Sequence, residues 1–132
     1  MSLKTLMTIK AIVCITLGLF LLIAPSVLYG IFGGDLQITG SFAGREYGAA
    51  LIGTFLLTWL SRNAAESRAR RAIILDLFIY DAIGAVLSVV YILNGTFNPL
   101  TWAVVALYLG LAVGYGYFWF AKPATATQPG LA

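Results

Sequence analysis

The sequence contains no histidine and a single cysteine, Cys14. Imidazole is the usual ligand of haem and a frequent ligand of zinc, copper and non-haem iron, so we expect no metal and no haem cofactor. Thiol–disulfide oxidoreductases need paired cysteines, and one thiol cannot form a disulfide within the chain. With no histidine and no recognisable pair of a nucleophile and a base, we expect no enzyme activity.

Charge is also scarce, since charged residues make up 10% and hydrophobic residues 61% of the chain. Ordinary globular domains have about 25% and roughly 45–50%. A soluble domain of 132 residues could not bury so much apolar surface, because small domains have a high surface-to-volume ratio. The net charge is +3, but four of the eight basic residues fall in one short connection between apolar runs. That placement indicates membrane topology, so we expect a lipid bilayer as partner and no nucleic acid.

Four apolar segments follow one another, at residues 9–30, 43–61, 72–93 and 100–120. Each is close to the ~20 residues that cross about 30 Å of hydrocarbon as a helix. Open strands would leave backbone groups unpaired in lipid. Pro25 is expected to bend or end the first helix, and residues 30–41 are expected to form a loop. The prediction is an all-α bundle of four transmembrane helices, one domain over residues 1–122, followed by a polar tail over residues 123–132.

Basic residues are distributed unevenly between the two ends of these segments. Arg45 alone falls at one end, whereas seven fall at the other: Lys4, Lys10, Arg62, Arg68, Arg70, Arg71 and Lys122. The positive-inside rule therefore places both termini and the connection 62–71 in the cytoplasm. We expect a multi-pass protein of a cell membrane, such as a bacterial inner membrane. The four arginines are also candidates for contact with anionic lipid, although orientation alone accounts for them.

The third segment carries an acid deep in the membrane. At 100° per residue its polar and small residues fall within an arc of about 140°, and they are Asp76, Tyr80, Asp81, Gly84, Ser88 and Tyr91. An acid as deep as Asp81 costs about 2.5–3.5 kcal/mol, so a proton, a partner or a wet cavity must compensate. Asp81 either binds a proton, a cation or a substrate, or it serves packing through hydrogen bonds; both interpretations stay open. Asp76 is expected to pair with the arginine cluster.

The second segment opens with Arg45 and Glu46 between Gly44 and Gly48. Glycines four residues apart indicate a close helix contact, and the same role is expected for Gly53, Gly84, Gly110 and Gly114. Glu46 shares a helical face with Ala49, Ala50, Gly53 and Leu57, so we expect it to point at another helix. Arg45 is expected to reach outward to water. The alternative is that it reaches inward to Asp81.

This plan resembles small four-helix bacterial membrane proteins, DoxX-like in size and layout, most of which have no assigned function. The resemblance rests on Pro25 at the end of the first segment, on Arg45-Glu46-Tyr47-Gly48 at the start of the second, and on the basic connection that follows. It implies a four-helix membrane bundle and no particular site. Small multidrug transporters differ, because they are expected to carry an acid in the first span and residues 11–24 contain none.

Two functions follow from these observations. The first is a non-catalytic accessory or scaffold subunit, either as a homo-oligomer or with other membrane subunits, which the small-residue positions favour. The alternative is a proton- or ion-coupled transporter of a small solute that uses Asp81, with Tyr80, Ser88, Glu46 and Arg45 as further polar positions.

Overall fold

The computed structural model describes residues 1–121, and this range contains helices and no strands. The helices are α1 (Leu3–Ile23), α2 (Pro25–Ile31), α3 (Ile38–Ser61), α4 (Arg68–Leu93) and α5 (Trp102–Phe120), and a 3-10 turn (Pro99–Thr101) leads into α5. Lys122 and the predicted polar tail 123–132 lie outside the described residues. The all-α prediction is confirmed.

Three helical segments are long and apolar enough to cross a membrane, namely Leu3–Ile23, Arg68–Leu93 and Pro99–Phe120. The chain is therefore a membrane protein. Helix α3 has 24 residues but is not among these three segments; Arg45 and Glu46 lie in its first half.

The first predicted segment is two helices rather than one. Pro25 has no N–H to continue α1, and Ala24 adopts the non-helical angles φ −140° and ψ 63° between α1 and α2. Helix α1 also begins earlier than predicted, because the Ser2 hydroxyl accepts a hydrogen bond from the Thr5 N–H at 3.1 Å and caps it. The predicted loop 30–41 shrinks to residues 32–37 between α2 and α3.

Helix α4 begins inside the segment predicted to be a basic connection. Ser67 caps this helix by accepting a hydrogen bond from the Arg70 N–H at 3.1 Å. Arg68, Arg70 and Arg71 are therefore part of the first turns of α4. The connection between α3 and α4 is correspondingly short, over residues 62–67.

The long helices form two pairs, in which α1 packs along α3 and α4 packs along α5. The first pair approaches closely at two glycines. A Cβ on Gly48 would lie 2.7 Å from the carbonyl oxygen of Gly18, so only a residue without a side chain fits there. Helices α3 and α4 touch little although they are consecutive.

The two pairs meet along only part of their length. In the half of the molecule that contains the connection 62–67, here called the basic half, one apolar core joins α1 to α4 and α5; it consists of Leu6, Met7, Ile74, Leu77, Leu111 and Tyr115. In the opposite half, here called the distal half, the buried core residues are Cys14, Leu21 and Leu51 of α1 and α3, and Tyr80 of α4 packs against them. The pairs therefore share a smaller core in the distal half.

The distal end is closed by a contact between two loops. The Asn98 backbone N–H donates to the Phe32 carbonyl at 2.8 Å, and the Asn98 side chain donates to the Ile31 carbonyl at 3.0 Å. Gly33 beside them has a φ of +82°, which only glycine adopts readily. The end of α2 is thus tied to the turn between α4 and α5.

Candidate functional site

A lysine and an aspartate form an ion pair in the interior, between the two helix pairs. Lys10 of α1 is 2% exposed and Asp81 of α4 is 0% exposed, and the lysine Nζ donates to the aspartate Oδ1. Helical spacing places both, because Lys10 lies on the buried face of α1 with Met7 and Cys14, and Asp81 lies four residues after the buried Leu77 of α4.

This ion pair offsets the free-energy cost of burying the Asp81 carboxylate in the membrane. A buried charge is tolerated in the membrane when an opposite charge and hydrogen bonds replace water. Among the basic residues of the sequence, Lys10 counts only as a topological charge, and the positive-inside pattern does not predict its role as the partner of Asp81. The available signal was its position, since Lys10 stands at helical spacing between the apolar residues Met7 and Cys14.

Three tyrosines lie around the ion pair, namely Tyr47 of α3, Tyr80 of α4 and Tyr108 of α5. The Lys10 Nζ lies 4.6 Å from the centre of the Tyr80 ring and 6.0 Å from that of Tyr108, within the range of cation–π attraction. The Tyr47 hydroxyl forms hydrogen bonds with the hydroxyl of Tyr80 and with that of Tyr108 at 2.9 Å. Gly84 leaves the room for Tyr108, because a Cβ there would lie 2.9 Å from its ring.

A cavity of about 390 Å³ extends from this cluster into the distal half. Its volume falls within the roughly 300–1,000 Å³ of small-molecule sites. Lys10, Tyr47, Tyr80 and Tyr108 line its base, and Asp81 does not line it. The remaining walls are mostly apolar, with Cys14, Leu17, Leu21 and Leu51 on one side, Val104 and Leu107 on the other, and Tyr29, Phe32 and Phe97 at the distal end.

A second cavity of about 330 Å³ lies next to the first, under the α2–α3 loop. Tyr29, Ser88 and Phe97 line both cavities. The rings of Tyr29 and Phe97 are 6.2 Å apart between centroids, so this aromatic contact stands between the two spaces. Asp35 lines the second cavity and brings a carboxylate to it.

The structure brings together only part of the predicted polar site. Tyr80 and Asp81 are adjacent at the ion pair, and Ser88 lines the cavity while its hydroxyl donates to the Gly84 carbonyl at 2.8 Å. Asp76 is exposed and makes no ion pair among the residues described, so its predicted pairing with the arginines is wrong. The buried face of α4 is centred on Leu77 and Asp81, which leaves Asp76 at its edge.

Arg45 and Glu46 do not belong to this site. The Arg45 guanidinium donates to the Leu22 carbonyl at 2.7 Å, near the break between α1 and α2, where helix carbonyls lack their usual partners. Glu46 is exposed, and so are the residues expected to share its face against another helix: Ala49, Ala50, Gly53 and Leu57. That expectation is wrong within the single chain, because α3 turns Gly44, Gly48 and Leu51 inward instead.

The predicted packing glycines divide into two groups. Four contact other helices of the chain: a Cβ would lie 3.0 Å from Pro25 at Gly44, 2.7 Å from Gly18 at Gly48, 2.9 Å from Tyr108 at Gly84 and 2.8 Å from Leu6 at Gly114. Gly53 and Gly110 have open space around them, with no atom within 4 Å. The first group packs the helix pairs and the second group lies on the surface.

Two of the arginines at the end of the basic half contact tryptophans. Arg71 donates to the Trp119 carbonyl at 2.6 Å, and the Arg62 guanidinium lies 3.4 Å from the centre of the Trp59 ring. Arg70 pairs with Glu66 at 3.5 Å, and Arg68 is exposed. This arrangement is typical of a membrane–water interface.

Comparisons with known proteins leave the function to be argued from this geometry, since no family model, no curated protein and no solved structure matches the chain.

Proposed function

We propose that this chain spans the membrane four times and binds a small, largely apolar solute in the cavity between its two helix pairs, as the binding step of a small-solute transporter. The observation that carries the proposal is a cavity of about 390 Å³ whose base holds Lys10, one partner of a buried ion pair. Ionisable groups inside a membrane are costly and mark solute or ion pathways. A protein that only held other subunits together would not need the cavity.

The four-span topology is supported by the length and packing of α3. Its 24 residues would extend about 36 Å as a helix, enough to cross the hydrocarbon layer. Arg45 and Glu46 lie towards its distal end, where long side chains reach the interface. The arginines and two tryptophans at the other end favour a cytoplasmic basic half, with both termini inside and with Arg68 available to anionic head groups. The membrane would be a cell membrane, and the inner membrane if the chain is bacterial.

Single cysteines test this topology in a Cys14→Ser background. A cysteine at Thr96, in the distal turn, should react with a membrane-impermeant maleimide added to intact cells. A cysteine at Asn63, in the basic connection, should react only after the cells are permeabilised. The reverse pattern would contradict the proposed orientation, and labelling of both positions in intact cells would mean that α4 does not cross the membrane.

The separation of the helix pairs supports a transport role. The larger core that the pairs share lies in the basic half, whereas in the distal half Tyr80 is the α4 residue that packs on the α1–α3 core, and α3 and α4 touch little. Rigid bundles that meet along a limited interface can rock against each other and expose a central site to one side and then the other. The limited contact between the two pairs supports this part of the proposal.

A cavity-filling variant tests solute binding, with 1-octanol as the neutral probe. Val104 lines the cavity, whereas Val113 of the same helix is 70% exposed on the outer surface. A ligand at about a hundred times its Kd stabilises a protein by about 2.7 kcal/mol. We expect octanol to stabilise the natural protein and Val113→Trp in detergent, and not Val104→Trp. Equal stabilisation of both variants would mean that octanol acts through the micelle and not through the cavity.

A second function, as a subunit of a homo-oligomer or of a larger membrane assembly, is favoured by one exposed face of α3. Glu46, Ala49, Ala50 and Gly53 lie there, and Gly53 has open space around it. Small residues allow a second helix to approach closely. We expect Gly53→Phe to reduce the mass of the protein measured in lipid nanodiscs, and Val86→Phe on the exposed face of α4 to leave it unchanged. A monomeric natural protein would exclude the homo-oligomer.

A further inference from the structure

The base of the cavity is cationic although the ion pair as a whole is neutral. Lys10 lines the cavity, and its partner Asp81 lies behind it, outside the lining. A lysine ammonium has three N–H donors and no acceptor. One donor goes to Asp81, and within residues 1–121 Lys10 makes no other side-chain hydrogen bond. A solute in the cavity therefore meets a positive group with donors to spare.

Asp81 offers an independent observation. Its Oδ1 accepts from Lys10, whereas its Oδ2 is buried and has no hydrogen-bond partner in the described part of the chain. A buried carboxylate oxygen without a partner is unfavourable, since nothing replaces the water it has lost. A proton on Oδ2 would remove that charge. The pair thus combines a place for an anion, at Lys10, with a place for a proton, at Asp81.

The titratable groups around Lys10 and Asp81 do not alter this charge balance. They are Cys14 from α1, Tyr47 from α3, Asp76 and Tyr80 from α4, and Tyr108 and Tyr115 from α5. Thiols and phenols carry no charge at neutral pH, and Asp76 is exposed to its surroundings. Lys10 and Asp81 are therefore the two charges that determine the net charge of the site.

We propose that the cavity takes a small monoanion with an apolar body, and that Asp81 takes up one proton from water as the anion binds to Lys10. The proposal rests on the solute-binding function above and names its ligand class. An anion alone would give the site a net negative charge in apolar surroundings, which is unfavourable. The proton added to Oδ2 returns the net charge to zero, and the Lys10 ammonium then pairs with the anion. Binding of anion and proton together is the chemistry of proton-coupled uptake.

Three probes that share one octyl chain and differ in the charge of the head group test the charge preference: octanesulfonate, 1-octanol and octylammonium. Octanesulfonate is chosen because it stays ionised, so that any proton taken up must go to the protein. Calorimetric titration of the natural protein in lipid nanodiscs, with empty nanodiscs subtracted, gives each affinity. Repeating the octanesulfonate titration in two buffers of different ionisation enthalpy gives the number of protons taken up. We expect octanesulfonate to bind at least tenfold more tightly than the other two probes, with about one proton taken up for each anion.

The pH dependence tests the same proposal without any mutation. Because the complex holds one proton more than the free protein, the octanesulfonate affinity should rise tenfold for each pH unit that the solution becomes more acidic, over the range in which the free protein is ionised at Asp81. Asp81→Asn should bind octanesulfonate with no proton uptake and no such dependence. Binding of octanesulfonate without proton uptake, or no more tightly than octanol, would overturn the proposal.

The outcomes separate this proposal from the proposed function. If octanol binds in the cavity, is blocked by Val104→Trp, and octanesulfonate does not bind, solute binding stands and the anion proposal fails. If none of the three probes binds, both fail.

Discussion

Breaking the ion pair between the helix pairs should be the most damaging single change in the interior. Lys10→Met keeps an unbranched side chain of similar length but removes the charge that faces Asp81, which is 0% exposed. Removing one partner of a buried pair costs about 3–5 kcal/mol, because the other charge is left without compensation. Since each 1.4 kcal/mol is a factor of ten, the ratio of folded to unfolded protein should fall by about two to three and a half orders of magnitude.

Removing both charges should cost less than removing either one. Apolar residues in place of a buried ion pair are often neutral or stabilising by about 1–4 kcal/mol. The double variant Lys10→Met, Asp81→Leu should therefore be more stable than Lys10→Met alone and than Asp81→Leu alone. The interaction energy of the double-mutant cycle measures the pair directly.

The assay is equilibrium unfolding in dodecyl maltoside micelles by added dodecyl sulfate, followed by the fluorescence of the three tryptophans. Lys4→Met is the matched control, because Lys4 is exposed and makes no ion pair among the described residues. If Lys10→Met costs no more than Lys4→Met, or if the two single losses add up to the loss in the double variant, Lys10 and Asp81 do not form an ion pair.

The same assay checks two further features. Gly48→Ala should destabilise the protein by about 1–3 kcal/mol through overpacking, because its Cβ would lie 2.7 Å from a carbonyl oxygen of α1. The control Gly110→Ala, in open space, should change the stability by no more than about 0.5 kcal/mol. Equal effects of the two variants would contradict the close approach of α1 and α3. Arg45→Gln should lose about 1 kcal/mol, since its guanidinium donates to a carbonyl near the end of α1, and the exposed neighbour Glu46→Gln should cost nothing measurable.

Periodicity in the sequence was enough to predict the helical class and, in part, the direction in which the third segment faces. Asp81 is buried, and Ile79, Ile83 and Val86 on the opposite side are exposed, as 100° steps predict. Asp76 and Tyr91, at the edges of the predicted inward arc, are exposed as well, so the direction was predicted only in part. The ends of the helices were predicted less well. Ser2 and Ser67 each cap a helix, and these local hydrogen bonds move the helix starts beyond the apolar runs that hydropathy detects.

The partner of Asp81 could not be predicted in the same way. A helical pattern gives the face on which Lys10 lies, but not the height at which that face meets α4, because α2 and α3 lie between the two helices in the chain. The hydrogen bonds of Tyr47 to Tyr80 and Tyr108 join three helices. They could not be predicted for the same reason, because the pattern of one helix does not give its height against another. The cavity has no periodic signal at all, since it arises where the helix pairs do not pack.

Membrane insertion and solute binding place opposite demands on Lys10 and Asp81. Each charge alone would add about 2.5–3.5 kcal/mol to the cost of inserting its helix, so α1 and α4 gain from meeting once both are in the membrane. Their ion pair is the one formed between the two helix pairs within residues 1–121, and it lies where the core of the basic half gives way to the cavity. A solute that competes with Asp81 for Lys10 weakens this link, whereas an apolar solute that only fills the cavity leaves it intact. The charge of the solute would therefore decide whether binding also loosens the two pairs, which is the step that a transporter needs and a scaffold does not.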